Sequence, residues 1–290
     1  MYARRAYAVP LPDRQPLELG ARTLIMGVLN VTPDSFSDGG RHFSAEHAIE
    51  IGLQMAADGA DVIDVGGEST RPGAEPLPAD EERRRVLPVI ETLAARAGVP
   101  ISIDTYKASI ARAALDAGAS IINDVSGLLY EPALGAVAAE RGAALVLMHT
   151  RGRSKDMYGL AEYGDAPAEV ARELGDAIAR AEAAGAPRDR LIVDPGLGFA
   201  KRAEHSYLVL AHLDAIAALD RPILCGPSRK SFLKAAVGDR DPLDREWATA
   251  AAVTAAVLMG AHIVRVHNVR DMADVVRVAD RIRDAAAARA

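Results

Sequence analysis

One cysteine in 290 residues, Cys225, excludes an internal disulfide framework and fits a reducing compartment. Aromatic residues are scarce, at 4 % of the chain, so the core has to be aliphatic, as suits parallel strands buried on both faces. No apolar run is long enough to cross a bilayer. The stretch MYARRAYAVPLPDRQ carries two arginines but no apolar core of the kind a signal peptide needs, so a cytoplasmic protein is expected. No GxGxxG follows any strand-like run, and GxSxG, HExxH and CxxC are absent, which leaves dinucleotide binding, serine hydrolysis and zinc chemistry without a basis. A net charge of −6 favours solubility and argues against general nucleic-acid binding.

What the chain does have is one grammar repeated along its length: an apolar strand, polar residues at its end, a Gly or Pro turn, then a helix. Leu191–Lys201, LIVDPGLGFAK, shows it best, with three apolar residues delivering Asp194 into a turn marked by Pro195, Gly196 and Gly198. Strands are expected at Leu24–Leu29, Asp61–Val65, Pro100–Ile103, Ser120–Ile122, Ala143–Leu147, Leu191–Val193, Pro222–Leu224 and His262–Val266. Helical spacing is read over Ser44–Asp58, Glu81–Ala97, Lys107–Ala117, a short piece after Pro132, Ala168–Ala184, a segment ending near Leu219, Leu243–Met259 and Met272–Ala288. About eight strand–helix units indicate an α/β protein built as a single (β/α)8 barrel over residues 21–290. Residues 1–20 read as a short extension, a hairpin split at Pro12-Asp13 that covers the bottom of the barrel. A doubly wound open sheet is the competing architecture.

In a barrel the C-terminal strand ends meet at one face, where active sites sit. Asn30, Asp104, Asn123, His149, Asp194, Lys230, Arg265 and His267 would converge there, joined by Thr70-Arg71 from the second loop. The opposite ends carry mostly Arg22, Gly98, Pro100, Ser120, Arg221 and Pro222, and this asymmetry points to an enzyme. Each residue has a plainer explanation. Asp104 would cap the helix near Lys107, Asn123-Asp124 would be turn chemistry, and His149 a satisfied loop histidine. Two cations in Ser228-Arg229-Lys230 at a helix start are unfavourable without an anion or carboxylate nearby, which favours function. In IVRVH, alternation puts Arg265 and His267 on one side of the strand; with Val264 and Val266 facing helices, both polar residues face the barrel axis.

Eight motifs then carry a resemblance: IMGVLNVTPDSFSDGG (Ile25–Gly40), GADVIDVGGESTRPGAEP (Gly59–Pro76), ISIDTYK (Ile101–Lys107), IINDVSG (Ile121–Gly127), LMHTRG (Leu147–Gly152), IVDPGLGFAK (Ile192–Lys201), GPSRKSFL (Gly226–Leu233) and IVRVHNV (Ile263–Val269). In this order, and at strand ends, they resemble the dihydropteroate synthase family of pterin-binding barrels. The resemblance implies a transferase of folate biosynthesis that joins p-aminobenzoate to 6-hydroxymethyl-7,8-dihydropterin diphosphate, releasing pyrophosphate, with Mg2+ as cofactor and a homodimer as assembly.

The resemblance also implies roles. Asp194 would accept the paired N–H donors of the pterin, Asn123 its mixed edge, and Lys230 would donate to its carbonyl and ring nitrogen. Asp104 would stabilise positive charge as the C–O bond breaks, Arg265 would stack on the ring, and Val146, Met148, Phe199 and Gly226 would complete the pocket. Asn30 would contact Mg2+ and phosphate, with Thr70, Arg71, Arg265 and His267 on the diphosphate. Phe36, Thr70, Pro72, Phe199, Lys230 and Ser231 would hold p-aminobenzoate. The implied mechanism is dissociative, so no nucleophilic side chain is needed, and loops Asn30–Phe43 and Gly66–Pro76 would act as lids. Two positions depart from the family pattern: Asn268 stands where Asp is usual after the histidine, and Lys234 where Gly is usual. The runner-up is a pterin-dependent methyltransferase that passes a methyl group to a corrinoid protein, which would not need Ser228–Lys230 or the ESTRPG loop. A non-catalytic pterin-binding paralogue would show disabling changes at Asn30, Arg71, Lys230 or His267, and none is present.

Overall fold

The computed structural model describes residues 4–31, 45–69 and 73–288. The first elements are β1 (Tyr7–Leu11) and β2 (Arg14–Leu19), an antiparallel hairpin that turns at Asp13, whose positive φ of 51° a short polar side chain tolerates. Eight parallel strands follow: β3 (Leu24–Asn30), β4 (Val62–Gly66), β5 (Ile101–Asp104), β6 (Ile121–Asp124), β7 (Ala144–Met148), β8 (Leu191–Asp194), β9 (Leu224–Cys225) and β10 (Ile263–Val266). Their order in the sheet, β8-β7-β6-β5-β4-β3-β10-β9, is joined across its ends by a parallel bridge from Val193 to Ile223, so the sheet is a nearly closed barrel. This is the (β/α)8 architecture and excludes the open doubly wound sheet.

Around it lie α1 (Ala45–Ala57), α2 (Ala79–Arg96), α3 (Ala108–Asp116), α4 (Ala133–Arg141), α5 (Ala166–Ala183), α6 (Ala203–Ala211), α7 (Leu213–Ala217), α8 (Lys234–Val237), α9 (Glu246–Leu258) and α10 (Val269–Ala287). The helix expected to end near Leu219 is broken at His212, whose φ of −124° and ψ of 48° separate α6 from α7. The zone expected from Leu243 opens as a 3-10 turn, Pro242–Arg245, before α9 begins. Most strands run one residue further toward their C-termini than the apolar runs suggest. Pairing does not stop at the first polar residue when that residue points into the barrel, as Asp104, Asn123 and Asp194 do.

Strand alternation divides the interior in two. Ile25, Leu29, Ile63, Val65, Ile103, Ile122, Leu145, Val193, Val264 and Val266 face the helices, packed against α2 residues Val86, Val89, Ile90 and Leu93 and their counterparts. Leu24, Met26, Val62, Ile121, Ala144, Val146, Ile192, Leu224 and Ile263 face the axis. The hairpin adds Val9, Leu11, Leu17 and Leu19 to that axial cluster, closing the N-terminal end of the barrel. Burying such side chains stabilises the fold by about 1.5–3 kcal/mol each. Among the described residues no helix is long and apolar enough to cross a membrane.

Candidate active site

Going up each strand, the axial positions change from aliphatic to polar. Met26 and Val28 lead to Asn30, Val62 to Asp64 and Gly66, Ile121 to Asn123, Ile192 to Asp194, and Ile263 to Arg265. The parallel register sets Gly66 beside Asp104, Asp104 beside Asn123, and Met148 beside Asp194. Asp104, Asn123, Met148, Asp194, Phe199, Gly226, Lys230 and Arg265 line one cleft, together with Val125, Gly196 and Leu197.

Its hydrogen bonds form a chain. Arg265 donates from Nε to Asp64 Oδ2 (2.6 Å) and from Nη2 to Asp104 Oδ2 (2.7 Å), and Asn123 Nδ2 donates to Asp64 Oδ2 (2.8 Å). Asp194 Oδ1 accepts from the backbone N–H of Gly196 (2.7 Å). Lys230 Nζ stands 3.8 Å from the centre of the Phe199 ring. Burial raises the Asp104 carboxyl to about 7; Asp64 adds to the rise while Arg265 opposes it. Burial also raises Asp194, against the Gly196 bond and the neighbouring cations. Lys230 is lowered to about 8 by burial and then by Arg265, while the two aspartates oppose that shift. Three carboxylates thus face two cations in a desolvated mouth. Such a site suits a flat ligand that offers several N–H donors and gains positive charge on reaction.

At the rim, the Ser228 hydroxyl accepts from the His267 backbone N–H (3.2 Å) and shares a 2.9 Å bond with Nδ1 of that ring. Asn30 ends β3 next to Gly66, and a Cβ built on Gly66 would come within 3.8 Å of Asn30 Oδ1 and 3.4 Å of Asp104 Cβ. Ser231 shares a 3.1 Å bond with the Tyr158 hydroxyl, which also donates to Gly198 O (3.2 Å). Phe36, Thr70, Arg71 and Pro72 lie outside the described residues. The two ends of the loop that carries Thr70–Pro72 are held together nonetheless. Glu68 accepts from Leu77 N (3.1 Å), and Lys107 pairs with Glu68 and Glu82 and donates to Leu77 O (2.7 Å).

Several expectations change. Val146 stands beside Asn123 in the register and is fully buried in the axial cluster, and Val125 and Leu197 join the residues that line the cavity. Asp104 caps no helix; α3 begins after Lys107 with no side-chain cap, which leaves the carboxylate to Arg265. No α-helix starts at Ser228–Lys230. Arg229, at a positive φ of 59°, turns outward to pair with Glu246 on α9, and only Lys230 enters the cavity. His149 is indeed a satisfied histidine, bonded to Glu173 and Lys201. Asn268 caps α10, accepting from Asp271 N (3.3 Å) and donating to Asp271 Oδ2 (2.7 Å), a task Asn performs as well as Asp. Lys234 opens α8 and pairs with Asp239 at the surface.

Asp64 escaped the reading of the sequence. Applied to VIDVG as it was to IVRVH, the alternation rule would have turned this carboxylate into the barrel beside Gly66. A larger cavity of about 130 Å³ lies behind Met148, lined by Ser126, His149, Glu173, Asp176 and Arg180. There His149 is engaged with Glu173 and Arg180 with Gly127 O, whereas the strand-end cleft gathers carboxylates, an amide and cations from five strand ends, which makes it the better binding site.

Residues 26–267 match the family model described as pterin binding enzyme. The chain is 46 % identical over 272 residues to the dihydropteroate synthase of Synechocystis sp., covering 93 % of this chain and 94 % of that one. It is 44 % identical over 256 residues to the Escherichia coli K12 dihydropteroate synthase, covering 88 % and 90 %. Among solved structures it is similar to the Xanthomonas albilineans dihydropteroate synthase with 4-aminobenzoic acid, with a TM-score of 0.87, 42 % identity, and 94 % of this chain and 98 % of that chain covered. The same enzyme in complex with 7,8-dihydropteroate gives a TM-score of 0.83 at 40 % identity, with the same coverage.

Proposed function

The chain belongs to the pterin-binding enzyme family, and from that premise we propose how its barrel mouth performs the dihydropteroate synthase reaction. It is a transferase that condenses p-aminobenzoate with 6-hydroxymethyl-7,8-dihydropterin diphosphate, giving 7,8-dihydropteroate and pyrophosphate. The observation that carries the reading is the convergence of Asp104, Asn123, Asp194, Lys230 and Arg265, from five different strands or the loops after them, on one cavity.

The Asp194 carboxylate accepts the adjacent N–H donors of the pterin, Asn123 meets its mixed edge, and Lys230 donates to the ring carbonyl. Met148 and Phe199 enclose the faces of the ring. As the C–O bond to diphosphate breaks, the electron pair leaves with the diphosphate and positive charge spreads over the pterin, where Asp104 stabilises it. The arylamine nitrogen then attacks the exocyclic carbon and loses a proton. Arg265, bound to Asp64 and Asp104, borders both the ring and the departing group, and Thr70, Arg71 and His267 complete the anion site. Ser231, Phe36 and Pro72 hold the aminobenzoate.

Among the described residues no group of three or more His, Cys, Asp or Glu is arranged to hold a metal alone. Mg2+ commonly takes one or two protein oxygens and completes its shell with phosphate oxygens and water. Asn30 would supply its amide oxygen, and the ion would offset diphosphate charge. A homodimer is proposed on the exposed apolar surface of Leu243 and Trp247, 69 % and 86 % accessible, at the start of α9, and a cytoplasmic location accompanies the folate role. Pyrophosphate release tests the function: it should require protein, dihydropterin diphosphate, aminobenzoate and Mg2+ together. Release that ignores the omission of aminobenzoate would overturn it.

A further inference from the structure

The buried amine of Lys201 takes no part in the chemistry above, yet it lies directly behind the turn that carries Asp194 and Phe199. Its side chain is buried, and Nζ has three neighbours: His149 Nδ1 at 2.7 Å, Phe199 O at 3.1 Å and Gly196 O at 3.2 Å. An ammonium has three N–H donors and no acceptor. Two carbonyls accept from it, and the His149 ring, held neutral by burial that lowers it to about 4, donates from Nε2 to the Glu173 carboxylate and so offers Nδ1 as the third acceptor of a protonated amine. With Nδ1 accepting from Lys201, Nε2 carries the hydrogen and donates to Glu173 Oε2 (2.9 Å), itself held by Arg151.

The turn has no slack for another arrangement. Gly196 has a φ of +65°, and a Cβ there would lie 2.0 Å from His149 O. Asp194 O accepts from His149 N (2.9 Å), and Gly196 N bonds the Asp194 carboxylate. His149, Asp194, Gly196 and Phe199 are therefore tied to one nitrogen or to each other. We propose that Lys201 is a positioning residue for the pterin site, its ammonium fixing the Gly196–Phe199 turn through two carbonyls and His149, and so setting the Asp194 carboxylate and the Phe199 ring for the heterocycle.

The charged and titratable groups around Nζ are Asp194 from β8, Glu173 from α5, Arg151 and His149 from the segment after β7, and Lys230 from the segment after β9. Burial lowers Lys201 to about 7, with Asp194 and Glu173 opposing the fall and Arg151 and Lys230 adding to it. Proton loss near neutrality removes one of the three donors and a positive charge behind Asp194.

The inference rests on the pterin reading, and the test separates the two. Titration of 6-hydroxymethylpterin into the full chain by calorimetry should show binding to the wild type; no binding there would overturn the pterin reading itself. Lys201→Met should weaken binding at least tenfold at pH 6. The ratio of wild-type to variant affinity should shrink at least threefold by pH 9, because titration of Asp104 and Lys230 is common to both proteins. Two histidine variants give an independent reading. Asn places its oxygen where Nδ1 stood, whereas Gln reaches the Nε2 position and leaves Lys201 without that acceptor. His149→Asn should therefore restore affinity to within threefold of wild type, and His149→Gln should lose at least fivefold. Lys201→Met within twofold of wild type, a ratio that does not change with pH, or equal losses in the two histidine variants would each overturn the proposal.

Discussion

The two ends of the barrel axis are built from the same strands by the same alternation, yet they do opposite things. At the N-terminal end, Leu24, Met26, Ile121 and Ile263 meet hairpin residues Val9, Leu11, Leu17 and Leu19, and the result is dry aliphatic packing. Two residues along the same strands, Asn123 and Arg265 join Asp64 and Asp104 in a desolvated set of charges. The lower end contributes stability, and the upper end costs it. Asp104 shows the sign: its folded pKa of about 7 lies above its ordinary value of 3.8, so its contribution is fully present below about 3.8 and is lost as pH rises through about 7. A barrel can hold such a mouth because its floor is closed independently.

The sharpest way to break this contrast is to remove a charge from the top. Asp194→Ala or Lys230→Ala should weaken pterin binding on the order of 100-fold, from the loss of charge-assisted bonds of about 1.5–3 kcal/mol each, while thermal stability stays level or improves. Wild-type-like affinity by calorimetry, or unfolding in place of weakened binding, would dissolve the distinction. The reciprocal change is Leu17→Ala at the bottom. It should lower stability by about 2–4 kcal/mol in urea unfolding and leave pterin affinity unchanged; a parallel fall in affinity would mean the two ends are coupled.

The pH profile sharpens the upper end. Asp104 must be ionised to stabilise the cation, so kcat/KM should climb roughly tenfold per unit up to about pH 7. It should fall at higher pH as Lys201, near 7, and then Lys230, near 8, lose their protons. In Asp104→Asn the acidic limb should vanish, and a retained limb would assign it to another group. The smallest effect is expected at Asn268→Asp. Asp caps a helix as well as Asn but cannot donate to Asp271 Oδ2, so melting temperature should fall slightly and turnover should hardly move; a large gain in turnover would place this side chain in the anion site after all.

The architecture was legible because each strand is an apolar run closed by polar residues and a turn, a pattern that survives errors of a residue at the boundaries. Part of the site was legible for the same reason, since Asp104, Asn123, Asp194 and Arg265 sit at or beside strand ends. Depth was harder to read. Val146 has the parity for the axis and pairs with Asn123, yet it is fully buried, and strand alternation does not say which axial residues reach solvent. Asp64 sits inside an apolar run, where a carboxylate is easily passed over, although Arg265 and Asn123 both depend on it. Lys201 was hidden differently: its partner His149, and Glu173 behind that ring, come from the preceding strand–helix unit, and no spacing in the chain announces that meeting.

A crystal structure of the protein with a bound pterin tests the central claim most directly. The account predicts the ring between Met148 and Phe199, its adjacent N–H donors on the Asp194 carboxylate, with Asn123 and Lys230 on its other polar edges. A ring seated instead in the cavity beside Glu173 and Asp176, with Asp194 uncontacted, would contradict it.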